Sequence, residues 1–189
     1  MTPANALRLN ALGLLAICIV LSFAFADQLL FDDLPCPLCL LQRMGFFAAG
    51  FGIALNLVLR VRTAHYGMAI LGALCGGAIS LRQVALHVVP GSGAYGDAFL
   101  GYHFYTWAFI VFCLIIAGTG LMLLFERQFA GEPETSDLVL MDLPTRRLAQ
   151  TAFLFFGLLA VANGVSTVLE CGGGLCADNP TSYQLLDKS

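Results

Sequence analysis

Charged side chains are scarce in this 189-residue chain: they make up 11% of it, whereas hydrophobic residues make up 59%. A soluble domain carries charge on about a quarter of its residues, so an ordinary water-soluble fold is excluded. The few arginines and lysines form no basic patch of the kind that binds nucleic acid, and no glycine-rich loop suggests a nucleotide site. With a mean hydropathy of +0.84, the chain is expected to use the lipid bilayer as part of its solvent.

Five apolar stretches are long enough to cross the roughly 30 Å hydrocarbon core of a bilayer, which takes about 20 helical residues. Because backbone polar groups in lipid must be satisfied within the segment, each stretch is predicted to be a helix. We predict an all-α membrane protein with a four-helix transmembrane bundle plus a fifth transmembrane helix, in one integral membrane domain covering residues 1–189. The predicted spans are 9–26, 40–59, 66–89, 102–125 and 148–169, followed by a tail at 170–189.

The basic residues predict the orientation of these spans, since cytoplasmic loops are enriched in lysine and arginine. The loops on one side hold six of them: Arg8, Arg60, Arg62, Arg127, Arg146 and Arg147. The opposite loops hold Asp32, Asp33, Asp97, Asp178 and Asp187, with Lys188 as their only basic residue. The amino terminus is therefore predicted to be cytoplasmic and the carboxy terminus to lie outside. The alternative is that Ala24–Ala26 ends a cleaved signal peptide, although the apolar run is longer than such peptides usually have.

The seven cysteines sort by their depth in this topology. Three of them fall near the middle of spans, where small apolar packing residues are the simplest interpretation: Cys18, Cys75 and Cys113. The other four form two close pairs, Cys36 with Cys39 and Cys171 with Cys176. Both pairs fall on the outer side, and disulfides persist in oxidising compartments but not in the cytosol. This sorting indicates disulfide chemistry on the outer face.

The Cys36-x-x-Cys39 spacing fits a redox pair, half of a zinc site or a structural staple. Zinc takes four ligands, which the four outer cysteines could supply, although an oxidising compartment favours disulfides instead. A staple between such close cysteines constrains little of the unfolded chain. We therefore favour a redox pair without a metal. The second pair, which encloses three glycines and a leucine, also fits a staple for the terminal segment.

Two arginines lie within spans at a similar shallow depth below the outer face. Arg43 follows Cys39 by one helical turn, and Arg82 precedes the outer end of span 3 by about two turns. Ionisable residues in a span usually mark a function, although snorkelling towards the headgroups is the alternative. A guanidinium favours the thiolate of a nearby cysteine and can donate to a carbonyl oxygen that gains charge on reduction. A lipid-soluble quinone is such an acceptor, and Gln83 or His87 could bind its second carbonyl.

The segment Pro35-Cys36-Pro37-Leu38-Cys39, followed by Gln42-Arg43, resembles the DsbB family of bacterial disulfide-forming membrane proteins. Arg82–Leu86 and Pro90 are similar to the end of that family's third helix, so the resemblance covers about residues 10–125. It implies a thiol oxidase of the bacterial inner membrane that reoxidises a periplasmic thioredoxin-fold carrier of the DsbA type. It also implies that electrons pass through two cysteine pairs to ubiquinone or menaquinone.

The same resemblance implies roles for individual residues. Cys39 would face the quinone, Cys36 would exchange with the second pair, and Arg43 would hold the quinone. The family's usual four-span plan places the second pair between spans 3 and 4, but that loop, 90–101, has no cysteine here. The pair at Cys171 and Cys176 lies beyond a fifth span, which returns the chain to the outer side. Its role is therefore expected from its compartment and not from a motif.

Two other functions fit the sequence. A vitamin-K-epoxide-reductase-like enzyme performs similar thiol–quinone chemistry, but it is expected to carry its Cys-x-x-Cys late in the bundle. A non-catalytic membrane subunit or transporter would use both pairs as structural disulfides. Thiol trapping separates these readings, because the cysteines of a relay change oxidation state with the quinone pool and those of a staple do not.

Overall fold

The computed structural model describes residues 1–31, 33–89, 91, 93, 98–129 and 142–186. Five long helices dominate it: α1 is Pro3–Leu30, α2 is Pro37–Val58, α3 is Thr63–His87, α4 is Phe104–Leu123 and α5 is Leu143–Cys171. All five are long and apolar enough to cross a membrane. The predicted all-α membrane fold is confirmed. Five residues used in the sequence analysis lie outside the described part: Asp32, Pro90, Asp97, Asp187 and Lys188.

Two short elements accompany the helices. Ala98–Phe99 (β1) pairs antiparallel with Tyr102–His103 (β2), through a tight turn in which Leu100 and Gly101 have φ angles of 51° and 84°. Glycine adopts such angles readily, which suits it to a hairpin turn. Hydropathy predicted a span that begins at Tyr102, whereas α4 begins only after the hairpin, at Phe104. The second element, Glu126–Phe129, is a 3₁₀ helix that follows α4.

The central helix of the bundle is α2. It packs against α1 and α3, while α4 packs on α3 and α5 packs on α1. In its apolar segment 61% of the residues are buried, against 17% in α4 and 22% in α5. Outward-facing side chains such as Ile19, Leu114 and Leu154 are 66%, 65% and 70% exposed. Apolar exposure on this scale is expected of surfaces that face hydrocarbon.

Small residues bring α2 and α3 close together. A Cβ atom added at Gly45 of α2 would lie 2.6 Å from the Cα of Gly76 in α3, and one added at Gly72 would lie 2.5 Å from the backbone nitrogen of Ala49. These distances leave no room for a side chain at either position. Helix association in lipid relies on close packing of this kind, because lipid tails are as apolar as the side chains.

A buried polar network fixes the end of the bundle where α2 meets α3. Asn10 donates from Nδ2 to the Tyr66 hydroxyl at 2.7 Å, and this hydroxyl donates to Oε1 of Gln128 at 3.1 Å. Asn56 donates from Nδ2 to Oδ1 of Asn10 at 3.0 Å, and its own Oδ1 accepts from the backbone nitrogen of Arg62 at 3.0 Å. These bonds join α1, α2, α3 and the 3₁₀ helix, and satisfied networks of this kind specify a single arrangement.

Arg8 ties the start of α1 to the start of α5. Its Nη2 lies 3.1 Å from both carboxylate oxygens of Asp142, and its Nε donates to the Thr145 hydroxyl at 2.7 Å. The hydrogen bond from Thr145, followed by those from Arg8, holds the pKa of Asp142 below its ordinary value. Since α1 and α5 start together, they also end together, at the end of the bundle where α2 begins.

We expect Gly72→Ala to lower the free energy of unfolding by about 1–3 kcal/mol, because the new methyl group meets backbone that cannot move aside. Gly67→Ala on the same helix is the control, since an added Cβ there meets nothing within 4 Å. That change is expected to be neutral or to stabilise by up to about 1 kcal/mol. Reversible denaturation in detergent measures both, and equal stability of the two variants would contradict the close approach of α2 and α3.

Candidate functional site

The Cys36–Cys39 disulfide forms the first turn of α2. Cys36 is the N-cap residue and is followed by Pro37, whose missing N–H is not needed at the first helical position. The Sγ atom of Cys36 accepts from the backbone nitrogen of Cys39 at 3.1 Å, and the two Cα atoms are 5.0 Å apart. The partial positive charge of a helix amino terminus favours a thiolate. When it is reduced, the pair is therefore placed for nucleophilic thiol chemistry.

Gln83 of α3 reaches both sulfur atoms of this pair. Its Nε2 lies 3.5 Å from Sγ of Cys36 and 3.8 Å from Sγ of Cys39. Gln42 donates from Nε2 to Oε1 of Gln83 at 2.6 Å, which fixes the orientation of the Gln83 amide. Gln83 is only 1% exposed. A buried amide donor directed at the sulfurs stabilises the thiolate that appears on reduction.

Arg43, one turn after Cys39, is held inside the bundle. Its Nη1 donates to Oε1 of Gln28 at 2.6 Å, and its Nη2 donates to the carbonyl oxygen of Ala24 at 2.9 Å. The guanidinium carbon also lies 5.0 Å from the centre of the Phe25 ring. With only 7% of the residue exposed, Arg43 is turned towards α1 and does not snorkel towards the membrane surface.

A cavity of about 380 Å³ lies between α1 and α4 beside Cys39. Four residues of α2 line one side of it: Cys39, Gln42, Arg43 and Phe46. Most of the remaining wall is apolar and includes the rings of Phe23, Phe99, Phe104, Tyr105 and Trp107, with Asp27 and Asp33 also present. A second cavity of about 510 Å³ continues between α1 and α4 and shares Val20 and Val111 with the first. The two together form an apolar groove that ends at the cysteine and the arginine.

The structure separates the other residues that were predicted on α3. Arg82 is exposed and does not belong to the lining of the cavity in the described part of the chain. Successive residues of a helix point about 100° apart, so Arg82 cannot share the face on which Gln83 meets the cysteines. His87 does share that face: its Nδ1 donates to the carbonyl oxygen of Gln83 at 2.8 Å, and its ring stacks on Tyr105 at 5.2 Å.

The second disulfide closes the end of α5. Gly172 ends the helix with a φ of 62°, in the left-handed conformation that favours glycine. Cys171 is 4% exposed, whereas Leu175, which precedes Cys176, is 97% exposed. The Cα atoms of the two cysteines are 4.4 Å apart. An anchored cysteine at the helix end is thus joined to an exposed turn at the same end of the bundle as the first pair.

The three mid-span cysteines differ from one another. Cys18 packs in the core as expected, whereas Cys75 and Cys113 lie exposed on the outer surfaces of their helices. The remaining four cysteines form two disulfides, Cys36–Cys39 and Cys171–Cys176.

The residues that hold Arg43 from behind were not predicted from the sequence. Gln28 donates from Nε2 to the hydroxyls of Ser166 at 2.8 Å and Tyr183 at 2.9 Å, so one amide connects Arg43 to α5 and to the tail. Glu170 of α5 is 1% exposed and belongs to the same region. In the sequence, Gln28 and Glu170 stand out only as polar residues near the ends of apolar stretches. Polar residues are common there, so neither one indicated a site.

Comparison with known proteins agrees with this geometry. The family model described as disulfide bond formation protein DsbB matches residues 7–95, which include Cys36, Cys39, Arg43 and Gln83. Disulfide bond formation protein B of Chromobacterium violaceum is 31% identical over 122 residues, covering 59% of this chain and 70% of that protein. The chain belongs to the DsbB family. It is accordingly a disulfide-forming membrane oxidoreductase. No solved structure matches the chain.

The match of the DsbB family model ends before α4 and α5. The first cysteine pair and its arginine therefore lie within the matched residues, and the second pair lies beyond them. The plan predicted from the sequence, with a second pair in the carboxy-terminal region, is what the structure shows.

We expect Gln83→Leu to make the Cys36–Cys39 disulfide harder to reduce, because the dithiol form loses its buried amide donor. A hydrogen bond to a charged group contributes about 1.5–3 kcal/mol, which corresponds to a fall of roughly 30–60 mV in reduction potential. Titration against glutathione with alkylation trapping measures it. Gln150→Leu, at an exposed position of α5, is the control, and an unchanged potential in Gln83→Leu would show that the amide has no influence on the sulfurs.

Proposed function

We propose that this protein is a quinone-dependent thiol oxidase that reoxidises a periplasmic thioredoxin-fold dithiol carrier of the DsbA type. The observation that carries the proposal is that Cys39 and Arg43 line one apolar cavity between α1 and α4. A cavity between two lipid-facing helices can be entered from the bilayer itself, so its ligand is expected to be lipid-soluble. The acceptor is ubiquinone or menaquinone.

The lining of the groove suits a quinone. The rings of Phe23, Phe104 and Trp107 offer flat apolar surfaces to the head group, and the second cavity has room for an isoprenoid chain. Arg43 supplies a donor for a carbonyl oxygen that gains negative charge. His87 stacks on Tyr105, which lines the cavity, and is the candidate for the second carbonyl from behind that ring. Gln83 acts on the sulfurs, and Arg82 is assigned no direct contact.

The electrons pass through the two pairs in three balanced steps. The dithiol of the carrier reduces the Cys171–Cys176 disulfide and becomes a disulfide itself. The resulting pair of thiols reduces Cys36–Cys39 by thiol–disulfide exchange through a mixed disulfide. The quinone then takes two electrons and two protons from Cys36 and Cys39, which return to the disulfide form. Cys39 faces the quinone, because it lines the cavity, and Cys36 exchanges with the tail.

We place the protein as a single domain in the bacterial inner membrane, with both disulfides on the periplasmic side. The basic residues support this orientation, since Arg8, Arg62 and Arg127 flank helix ends at the opposite side of the bundle. The exposed turn at Leu175 then faces the compartment in which a soluble carrier is found.

The decisive experiment is quinone-dependent oxidation of a reduced thioredoxin-fold protein by the purified chain and its cysteine variants. The double variant Cys171→Ser with Cys176→Ser is expected to lose carrier oxidation by at least about a hundredfold, because Cys36 is only 6% exposed and exchange requires access to a sulfur. It should still oxidise dithiothreitol, which is small enough to reach Cys36–Cys39 directly.

Two comparisons complete this experiment. Replacing Cys36 and Cys39 by serine is expected to abolish oxidation of both dithiols, whereas Cys113→Ser should leave both rates near those of the parent. Carrier oxidation at the parental rate without the tail pair would reduce that pair to a structural staple.

We expect Arg43→Ala to raise the KM for a soluble quinone analogue by about tenfold or more, since one hydrogen bond to a charged group is lost. Arg127→Ala, at the opposite end of the bundle, is the control. Arg82→Ala tests the role predicted for that residue and is expected to change the KM less than about threefold, because its side chain is exposed. Steady-state kinetics with dithiothreitol as reductant give all three values, and an unchanged KM in Arg43→Ala would leave the arginine without a role in quinone binding.

A further inference from the structure

One face of α5 carries polar side chains into the bundle. Asn163 and Glu170 are 3% and 1% exposed, and Ser166 between them accepts a hydrogen bond from Gln28 of α1. The spacing of three and four residues places all three on the same side of the helix. This face lies against α1 and α2, so the fifth helix contributes polar groups to the region behind Arg43.

Glu170 is the exceptional member of this face. Within the part of the chain that the structure describes, neither of its carboxyl oxygens has a hydrogen-bond partner, although both are fully buried. The tail covers it, because the backbone nitrogens of Gln184 and Leu185 donate to the carbonyl oxygens of Glu170 and Leu169 at 3.3 and 3.1 Å. The adjacent residue in the chain is Cys171 of the outer disulfide. Glu170 is therefore a buried acid that lies between the tail and the core of the helix bundle.

The charged neighbour of Glu170 is Arg43. The hydrogen bonds of Arg43 go to Gln28 and Ala24, which are both neutral. Among the described residues, two carboxyl groups lie near the guanidinium, Glu170 from α5 and Asp27 from α1, together with the neutral phenol of Tyr183 from the tail. Glu170 is the more buried of the two acids, so its charge would be the less screened by water.

The observed arrangement fits a neutral carboxyl group. A buried carboxylate without donors is strongly disfavoured, and it is tolerated only when it is paired. With Arg43 engaged by α1, the acid form of Glu170 has the lower cost. Loss of the proton would instead make Glu170 the counter-ion of Arg43 and offset its positive charge.

We propose that Glu170 is a positioning residue for Arg43, and that the presence or absence of one proton on its carboxyl group sets how strongly Arg43 acts on the quinone. When Glu170 is protonated it is neutral, so the positive charge of Arg43 at the cavity is not offset. As a carboxylate, having given its proton to the outer aqueous phase, it offsets that charge and weakens quinone binding. This role rests on the proposed function, since it presumes a quinone beside Arg43.

The protonation of Glu170 can be observed without turnover. Infrared spectra of the quinone-free protein should show the carbonyl band of a protonated carboxylic acid that is lost in Glu170→Gln. The band should remain in Glu126→Gln, where the acid is exposed on the 3₁₀ helix, and in Asp27→Asn. In Arg43→Gln it should persist to higher pH than in the parent, because the positive charge that favours the carboxylate is gone. A band unaffected by Glu170→Gln, or one that titrates identically in Arg43→Gln, would overturn the proposal.

The second test is the pH dependence of the KM for a quinone analogue, with dithiothreitol as reductant. As the pH rises from about 6 to about 9, where buried glutamates can lose their proton, the KM of the parent and of Glu126→Gln should rise by about fivefold or more. In Glu170→Gln it should stay flat. A parental profile in Glu170→Gln would contradict the proposal, and if that variant fails to assemble, the infrared titrations of the parent and of Arg43→Gln decide alone.

These measurements also separate the two proposals. A protein that reduces no quinone but shows both infrared effects would refute the proposed function and leave the coupling between Glu170 and Arg43 in place. Quinone turnover with a pH profile that Glu170→Gln does not alter would refute the positioning role alone.

Discussion

The end of the bundle at which α2 begins depends on one hydrogen bond, from Nη1 of Arg43 to Oε1 of Gln28 at 2.6 Å. A guanidinium within a membrane span is costly unless neighbouring helices satisfy it. Here α1 does so, and the same Gln28 amide uses its nitrogen to bind α5 and the tail. One glutamine side chain thus joins three helices and the carboxy-terminal segment around a single buried charge.

This constraint explains why the reactive cysteines can serve a groove in the membrane. Arg43 follows Cys39 by one turn, so holding the arginine against α1 also fixes the first turn of α2, where the disulfide lies. The groove between α1 and α4 then ends at this turn. On the other side of α2, the close packing of Gly45 against Gly76 brings α3 near enough for Gln83 to reach the sulfurs.

The sequence predicted which segments form the membrane spans, but it did not predict which way the side chains of each span point. Five spans follow from hydropathy, although the second was predicted to begin at residue 40, whereas α2 begins at Pro37 and holds Cys39 in its first turn. Which way a side chain points depends on the rotation of each helix against its neighbours. In lipid the outer face of a helix is apolar too, so periodicity does not reveal that rotation. Gln83 was therefore expected to bind quinone, whereas it contacts the sulfurs, and Arg82 points elsewhere.

The fifth helix determines how the Cys171–Cys176 disulfide is connected to the Cys36–Cys39 disulfide at the groove. Exchange requires an attacking thiolate to reach one sulfur of a disulfide, and Cys171 is buried at the end of α5 while Cys176 follows the exposed turn at Leu175. In the proposed relay a carrier would therefore meet Cys176 first, and the leaving thiolate would be that of Cys171. This cysteine is adjacent to Glu170, whose helix is bonded through Ser166 to Gln28 and onward to Arg43. The tail also bonds directly to Gln28 through the Tyr183 hydroxyl, so it is connected to the first turn of α2 by hydrogen bonds as well as by the proposed exchange.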